Sequence, residues 1–235
     1  MKIMKFYFIS ILLLAACNLF AQLERSYNPL LTINYSDNSQ GQSNRQIGNY
    51  KVKGSSYLFN DTFTTTVFHN GSFFAGNKAT YDTYFQKVEN IDNASQMSVF
   101  NLTDVDSFKV FYTDKETGII YNKIFINSKL VDSAKNIFLE KVAAGTKFSL
   151  YKSYTSTLED YVATFAQTTG YKQFKQVSEY YYMTPETKKL IKIKLTEREL
   201  KKALGSQANS LFNDTFSDNP EYNAVNIINT INAKN

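Results

Sequence analysis

The sequence predicts a mainly β protein whose antiparallel sheet closes as a sandwich or barrel-like body, with two short C-terminal helices. Aromatic residues make up 15% of the chain, with 17 Tyr and 19 Phe, and aromatic and β-branched residues favour strands. Short segments of this composition recur at close spacing from Tyr50 onward. Clusters of Asn, Asp and Gly separate them, which is typical of antiparallel sheet.

The first residues predict export. Lys2 and Lys5 precede an apolar run that is too short for a conventional membrane span, and small residues follow it. Two cleavage patterns compete: a signal peptide covering residues 1–21, and a lipoprotein signal covering residues 1–16 that would leave an acylated Cys17. The first is favoured, because no flexible polar tether follows Cys17. We expect a secreted or periplasmic protein, or alternatively one that is lipid-anchored at the outer membrane.

Composition also limits the kinds of functional site that the chain can contain. Cys17 is the only cysteine, so the processed chain has no internal disulfide, and its stability must come from packing. With one histidine in the chain, we expect no metal and no cofactor. The formal net charge of +5 falls by two when Lys2 and Lys5 are removed, and an exported protein rarely meets nucleic acid. We therefore expect no nucleic-acid partner.

A polar N-terminal segment, residues 22–49, precedes an antiparallel β domain predicted for residues 50–195. The pair Asn70-Gly71 predicts a hairpin turn, because both residues accept a positive φ, and residues 114–118 predict another turn. The apolar spacing of residues 158–165 fits either a strand or a helix. The strands predicted before the last hairpin are 50–54, 56–59, 63–68, 72–76, 80–88, 97–102, 105–112, 119–126, 136–142 and 148–154.

The β domain should end in a hairpin. Residues 178–184 are rich in tyrosine, residues 185–187 have the composition of a turn, and residues 188–195 alternate between apolar and cationic side chains. Successive side chains of a strand point to opposite faces. One face of the last strand should therefore carry lysines in contact with water.

The C-terminal segment, residues 196–235, predicts two helices. Thr196 and Glu199 form a capping box for the first helix, and Gly205 suits its C-terminal end. The pair Asn219-Pro220 starts the second helix with proline at its first position. Helical spacing then predicts an apolar stripe, which consists of Tyr222, Val225, Ile228 and Ile231.

A resemblance rests on these C-terminal residues. The run from Tyr180 to Leu195, followed by a capped basic helix and a final apolar helix, is similar to the ending of a group of uncharacterised exported proteins common in Bacteroidetes bacteria. That group also carries an early glycine and aromatic strand segment like residues 54–59 here. The resemblance implies export and a β-rich body, and it implies no activity.

Candidate catalytic residues are few and lack the partners that catalysis requires. His69 precedes the predicted Asn70-Gly71 turn, without a nucleophile motif elsewhere in the chain. Asp104 and Asp106, or the adjacent Glu159 and Asp160, are acid pairs of the kind that glycosidases use. Sequence spacing does not place such a pair across a cleft, so exposed acids are the simpler interpretation. We predict no catalytic, cofactor-binding or metal residues.

The densest charged feature is a candidate anion-binding face near the last strand and first helix. Anionic polysaccharide, lipid headgroups or an acidic envelope protein would suit it as partners. The simpler alternative is a solvated face whose lysines also prevent strand aggregation. The residues are Lys192, Lys194, Arg198, Lys201 and Lys202.

Three function classes remain. The leading hypothesis is a non-enzymatic structural or binding domain at the cell envelope or outside the cell. The second is a hydrolase of envelope or extracellular polymer that works through carboxylates, which would need a deep cleft with two convergent acids. The third is a β body that encloses an apolar ligand, which would need an aromatic-lined cavity.

Overall fold

In the computed structural model the described residues all belong to the unit that spans residues 38–235. The signal segment, Cys17, Asn70 and residues 162–165 lie outside the described residues. The described ranges are 46–47, 50–69, 71–91, 97–161, 171–212 and 216–234.

The described residues form a mainly β fold with two C-terminal α-helices, as the sequence predicts. Four short 3₁₀ helices, Leu58–Asn60, Ser128–Leu130, Ser206–Leu211 and Phe216–Asp218, join the larger elements. The strands and α-helices are β1 (Gln46–Ile47), β2 (Tyr50–Lys53), β3 (Phe63–His69), β4 (Ser72–Asp82), β5 (Lys87–Ile91), β6 (Met97–Asn101), β7 (Ser107–Thr113), β8 (Ile120–Asn127), β9 (Phe138–Ala143), β10 (Ser149–Tyr161), β11 (Tyr171–Met183), β12 (Ile191–Ile193), α1 (Glu197–Leu204) and α2 (Pro220–Ala233).

All described strands join one sheet in the order β1-β2-β11-β10-β9-β8-β7-β3-β4-β5-β6, and β12 pairs with β11 beside this path. Every pairing is antiparallel except that of β2 with β11. The hydrogen-bonded path has two ends, so the sheet is open. The longest ladder joins β10 and β11, from Ser149↔Met183 to Tyr161↔Tyr171.

The sheet curls so that β4 packs against strands that are several positions away in the order. Tyr81 of β4 is fully buried. Its ring makes edge contacts with Phe108 of β7, Phe125 of β8 and Phe138 of β9, at centroid distances of 5.4, 5.5 and 5.7 Å. Such contacts stabilise aromatic cores beyond the area they bury. We call the face that carries these rings the inner face and the opposite one the outer face.

The turn after β4 connects the curled sheet to β9 and β10 through Gln86. Its Oε1 accepts from the Tyr81 hydroxyl at 2.8 Å and from the Phe138 N–H at 3.0 Å. Its Nε2 donates to the carbonyls of Thr83 at 2.8 Å and Tyr154 at 2.9 Å. One amide side chain therefore satisfies four polar groups at this crossing.

Thr83 makes a second set of contacts across the same gap. Its N–H and Oγ1 both reach the Ser56 carbonyl, at 2.9 and 2.7 Å. Ser156 of β10 lies on the other side of this gap. The Ser156 Oγ is 2.7 Å from Thr83 Oγ1, and the Ser156 N–H donates to the Thr83 carbonyl at 3.2 Å. Gln176 of β11 adds a hydrogen bond to Thr83 Oγ1 at 3.3 Å.

The two α-helices pack on the inner face of β9 to β12 and form a second core with it. Thr196 caps α1 by accepting from the Glu199 N–H, and Asn219 caps α2 ahead of Pro220, as predicted. The other half of the predicted capping box is wrong, because the Thr196 N–H donates to the Lys194 carbonyl at 2.8 Å.

The predicted apolar stripe of α2 is correct at Ile228 and Ile231 and in part at Val225, which packs half-buried against this core. It is wrong at Tyr222, which is 62% exposed. The residues of α2 that are buried are Ala224, Ile227, Ile228 and Ile231.

The C-terminal end of α2 is held to the start of β10 by Asn232. Its Oδ1 accepts from the N–H groups of Lys147 at 3.1 Å and Phe148 at 3.0 Å, and its Nδ2 donates to the Phe148 carbonyl at 2.9 Å. Gly145 leaves the space for this side chain, because a Cβ there would lie 2.1 Å from Asn232 Cγ. The glycine is therefore required by the approach of the asparagine.

Replacing Gly145 with Ala should lower the free energy of unfolding by about 1–3 kcal/mol, because the displaced Asn232 amide would lose its hydrogen bonds. Urea denaturation measures the effect. The Asn232→Ala variant loses the same bonds, so Gly145→Ala should cost little in that background. An equal cost in both backgrounds would contradict this explanation.

Candidate functional site

A run of charged and hydroxyl side chains crosses the inner face between the two cores. The strand register explains why they meet, because side chains that are paired across strands share a face. Glu140 of β9 pairs with Lys152 of β10, and Lys152 pairs with Tyr180 of β11. We call this run the inner-face polar cluster; its members are Lys123, Glu140, Lys152, Tyr154, Tyr180 and Glu221.

One half of the cluster is centred on Glu140, whose side chain is 6% exposed. Lys123 Nζ of β8 donates to its Oε1 at 2.5 Å, and the Tyr154 hydroxyl donates to its Oε2 at 2.6 Å. A carboxylate this deep requires a cation and hydrogen-bond donors to compensate for lost hydration. Lys123 and Tyr154 supply them.

The other half connects the sheet to the N-terminal end of α2. Lys152 Nζ donates to Glu221 Oε2 at 2.6 Å, and the Tyr180 hydroxyl donates to the same oxygen. The Lys152 ammonium also lies 5.2 and 5.1 Å from the ring centroids of Tyr154 and Tyr180. These cation–π contacts make Lys152 the link between the two halves of the cluster.

The protonation behaviour of the cluster follows from burial and these bonds. Burial alone would raise the pKa of the Glu221 carboxyl, but hydrogen bonds from Lys152 and Tyr180 outweigh it and hold the pKa below its ordinary 4.5. Burial alone would lower the pKa of Lys152, yet its bonds to Glu221 and Tyr180 raise it above 10.5. Burial, then the bond to Glu221, raises the pKa of Tyr180. Burial and the nearby Glu140 charge raise that of Tyr154.

These shifts disfavour proton transfer by the four groups. A general acid or base works best when its pKa lies near the working pH. The pKa of Glu221 moves down from 4.5, and those of Lys152, Tyr154 and Tyr180 move up from 10 or above. Every shift is away from neutrality. Lys152 and Tyr180 instead hold α2 against the sheet through their bonds to Glu221.

The predicted anion-binding face divides into two groups in the structure. Lys192 of β12 pairs with Glu179 of the neighbouring strand, and Lys201 pairs with Glu197 one turn earlier in α1. Glu179 also accepts from the Tyr181 hydroxyl at 2.6 Å. The three other cations are exposed, with no ion pair to any described residue; they are Lys194, Arg198 and Lys202.

The pKa of Glu179 shows how firmly Lys192 is engaged. The hydrogen bond from Lys192, followed by that from Tyr181, holds the pKa of the Glu179 carboxyl below its ordinary value. Burial, then the bond to Glu179, raises the pKa of Tyr181 to about 12. An anionic ligand would have to compete with Glu179 for Lys192, whereas Arg198 and Lys202, at i and i+4 of α1, share one helix face.

The other candidate residues are placed apart. His69 ends β3 and pairs with Ser72. Glu159 and Asp160 follow each other in β10, so they point to opposite faces, and they pair with Lys175 at 3.3 Å and Lys172 at 3.2 Å.

Asp104 lies in the turn after β6, where it accepts hydrogen bonds from Asn101 at 3.3 Å and from Thr103 at 2.9 Å. Asp106 follows this turn, and its N–H donates to the Phe68 carbonyl at 2.9 Å. These contacts give both residues roles in turn structure.

A surface groove of about 390 Å³ lies between the β9–β10 loop, the turn after β11 and the two helices. Its floor is apolar, with Phe148, Leu204 and Ile231, and its rim carries Lys147 and Thr184. None of the lining residues belongs to the inner-face polar cluster. Glu186 is the one acid among the lining residues, so this groove contains no pair of convergent acids.

Among the residues that the structure describes, no cluster of His, Cys, Asp or Glu is suited to hold a metal ion. In the same ranges, no helix combines the length and apolarity that crossing a membrane requires. Comparisons with protein-family models, curated proteins and solved structures found no match for this chain. The resemblance to exported Bacteroidetes proteins thus stays a prediction.

Sequence reasoning missed the inner-face polar cluster. The sequence contains a signal for it. Lys123 shares a strand face with Tyr121 and Phe125, and Lys152 shares one with Leu150 and Tyr154, because these residues are two positions apart. A lysine on an otherwise apolar strand face is uncommon and usually paired. The pattern does not identify the partner, since Glu221 is far from Lys152 along the chain.

Glu221→Gln should lower the free energy of unfolding at neutral pH by about 1 kcal/mol, since Lys152 loses its counterion while water still screens the partly exposed site. Because the folded-state pKa of Glu221 is depressed, its contribution is present above pH 4.5 and lost as the pH falls through the folded pKa. The difference between the variant and the wild type should therefore shrink in acid. Denaturant unfolding from neutral to acidic pH measures it.

Glu197→Gln is the matched control. Glu197 pairs with Lys201 at the surface, where both side chains are more than a third exposed, so the change should have an effect within about 0.5 kcal/mol. An equal effect of the two substitutions would show that the half-buried position of Glu221 has no special role.

Proposed function

We propose that the protein is exported and acts without catalysis, as a binding or structural domain at the cell envelope or outside the cell. The packed interior of the curled sheet is the observation that supports a role without catalysis. The rings of Tyr81, Phe108, Phe125 and Phe138 fill it, and all four side chains are buried to 0% exposure. A filled interior is what the leading hypothesis expects.

We further propose that the sheet works as a barrel-like body, although its strand path is open. The contacts of Thr83 with Ser56, Ser156 and Gln176 bridge the gap between β4 and the strands β10 and β11. Side chains fill small barrels, whereas ligand-carrying barrels keep a lumen. The dense aromatic packing favours the former over the apolar-ligand alternative.

The hydrolase alternative is less well supported. Glycosidase chemistry needs a carboxylic acid that stays protonated near neutral pH beside a second carboxylate. The two acids of the inner face, Glu140 and Glu221, each pair with a lysine, and the pKa of Glu221 is depressed. Because its pKa is depressed, the Glu221 carboxylate accepts hydrogen bonds and does not donate a proton near neutral pH.

For the binding role, we propose that exposed cations near the C-terminal helices contact an anionic polysaccharide, lipid headgroups or an acidic envelope protein. Lys194, Arg198 and Lys202 are exposed and lack an ion pair within the described ranges. Lys192 and Lys201 contribute less, because Glu179 and Glu197 neutralise them. Electrostatic attraction of this kind weakens as salt is added.

The combined variant Lys194→Gln, Arg198→Gln and Lys202→Gln should elute earlier in salt from a heparin column than the wild type. A matched control, Lys78→Gln, Lys129→Gln and Lys141→Gln, removes three exposed charges on β4, on the 3₁₀ helix after β8 and on β9, and should shift elution less. Equal shifts would indicate that net charge alone governs retention, and they would contradict a defined binding face.

Export is tested separately by intact mass of the protein recovered from membrane and medium fractions of its host. We expect loss of residues 1–21 and no lipid. Acylation at Cys17 would instead establish the lipoprotein alternative, with residues 1–16 removed. A protein that retains Met1 in the cytosolic fraction would overturn the proposed export.

A further inference from the structure

The outer face of the central strands exposes large apolar side chains to water. An antiparallel sheet with one face on the core normally shows polar residues on the other. Here Phe73 of β4 is 67% exposed, Phe111 of β7 51% and Ile120 of β8 63%. Single exposed apolar residues are ordinary on protein surfaces. The residues between them therefore decide whether this face is suited to a partner.

An exposed lysine lies between these apolar side chains. Lys109 of β7 is paired with Ile124 of β8, which is 39% exposed. Phe111 is two residues further along β7 and shares the outer face with Lys109. The Lys109 ammonium also lies 5.7 Å from the ring centroid of Phe68. Lys109 therefore has three apolar neighbours on this face.

A second lysine has a similar setting on β4. Lys78 is exposed and is paired with Ile91 of β5, which is 39% exposed. On the other side of Lys78, the register leads through Thr64 of β3 to Phe111 of β7. Within the described ranges, no exposed outward residue of β3, β4, β7 or β8 is acidic, and exposed acids begin in the turns, as at Glu116. The exposed charge of this face is therefore purely positive.

We propose that this face binds the surface of an anionic lipid bilayer. A bilayer surface offers both kinds of contact: its anionic headgroups attract lysines, and its interfacial region takes up aromatic and aliphatic side chains. A lysine stem can lie along apolar neighbours while its ammonium stays among the headgroups. We call the proposed surface the outer lysine-apolar face, and it consists of Phe73, Lys78, Lys109, Phe111, Ile120 and Ile124.

The charge of this face favours a bilayer over a second copy of the chain. A two-fold contact presents the same residues from both sides. Lys78 and Lys109 of one copy would then meet the same lysines of the other, without acids to compensate for their repulsion. A bilayer avoids this conflict. It also requires no continuous apolar area, because each apolar side chain enters the interface separately.

The proposed face is distinct from the cations of α1. The helices pack on the inner face of the sheet, so the sheet separates Arg198 and Lys202 from the outer face. Binding through the outer lysine-apolar face should require anionic lipid and weaken as salt is added, because two lysines supply the attraction.

A tryptophan reporter tests the contact at one position, since the chain has no tryptophan of its own. In the full chain, Phe111→Trp should shift its emission to the blue on vesicles of phosphatidylcholine with about a third phosphatidylglycerol, and brominated lipid should quench it. Pure phosphatidylcholine should give a much smaller shift, and salt should reverse the effect. Tyr222→Trp is the matched control, because Tyr222 is 62% exposed on α2, and its emission should not change.

The lysines are tested in the Phe111→Trp background. Lys78→Gln with Lys109→Gln should weaken the vesicle affinity roughly tenfold or more. Lys129→Gln with Lys189→Gln removes two exposed lysines elsewhere and should change the affinity little. Equal effects of the two pairs would contradict a defined lipid-binding face.

Three other results would overturn the proposal. The first is an emission of Phe111→Trp that does not shift, or that shifts equally with both kinds of vesicle. The second is a blue shift that appears without vesicles as the protein concentration rises, because a second copy would then cover the face. The third is a shift of Tyr222→Trp alone, which would assign vesicle contact to the helices and leave the proposed role of α1 intact.

Discussion

The structure depends on the crossing of the β4–β5 turn over β9 and β10. β4 and β10 are not paired in this strand order, so other contacts must stabilise the curl: the Ser156 N–H of β10 donates to the Thr83 carbonyl just after β4, at 3.2 Å, and side chains stabilise the rest. Tyr81 and Gln86 do so together: the phenol ring joins the aromatic core, and its hydroxyl donates to the Gln86 amide at 2.8 Å. Burial raises the pKa of the Tyr81 hydroxyl, so it remains a donor in this bond throughout the physiological range.

This crossing explains the separation of the inner face into two cores. Where β4 covers β7 to β9, aromatic rings fill the interior, and where β9 to β12 extend beyond that cover, the helices bury the remaining apolar surface. The boundary carries Lys152 and Glu140, with Tyr154 on the side of the aromatic core. A purely apolar boundary would pack as well, but the paired charges hold α2 in one position, which is a role attested for buried polar groups.

Local chemistry made much of the fold predictable, and long-range contacts account for what was not. Thr196 and Asn219 cap their helices through bonds to residues three positions away, so the sequence contains the information. The exposure of Tyr222 follows from helix geometry: Tyr222 and Ile231 are nine residues, or about two and a half turns, apart, so they lie on opposite sides of α2. The pairing of Glu221 with Lys152, a partner 69 residues away, was beyond prediction. So was the curl, because strand order depends on pairings that no local pattern specifies.

The distribution of charge separates structural from binding roles among the lysines. Lys123 and Lys152 lie on the inner face and neutralise single carboxylates, so a ligand could recruit them only by displacing a protein partner at a desolvation cost. Lys192 is intermediate between the paired inner lysines and the unpaired exposed cations, because it pairs with Glu179 but lies on an exposed edge strand. An anionic ligand can bind without displacing a protein carboxylate only at cations that lack such a partner within the described ranges. Arg198 and Lys202 are two of these cations, and they also share one face of the helix. An anionic partner is therefore expected to contact α1 before it contacts the edge strand β12.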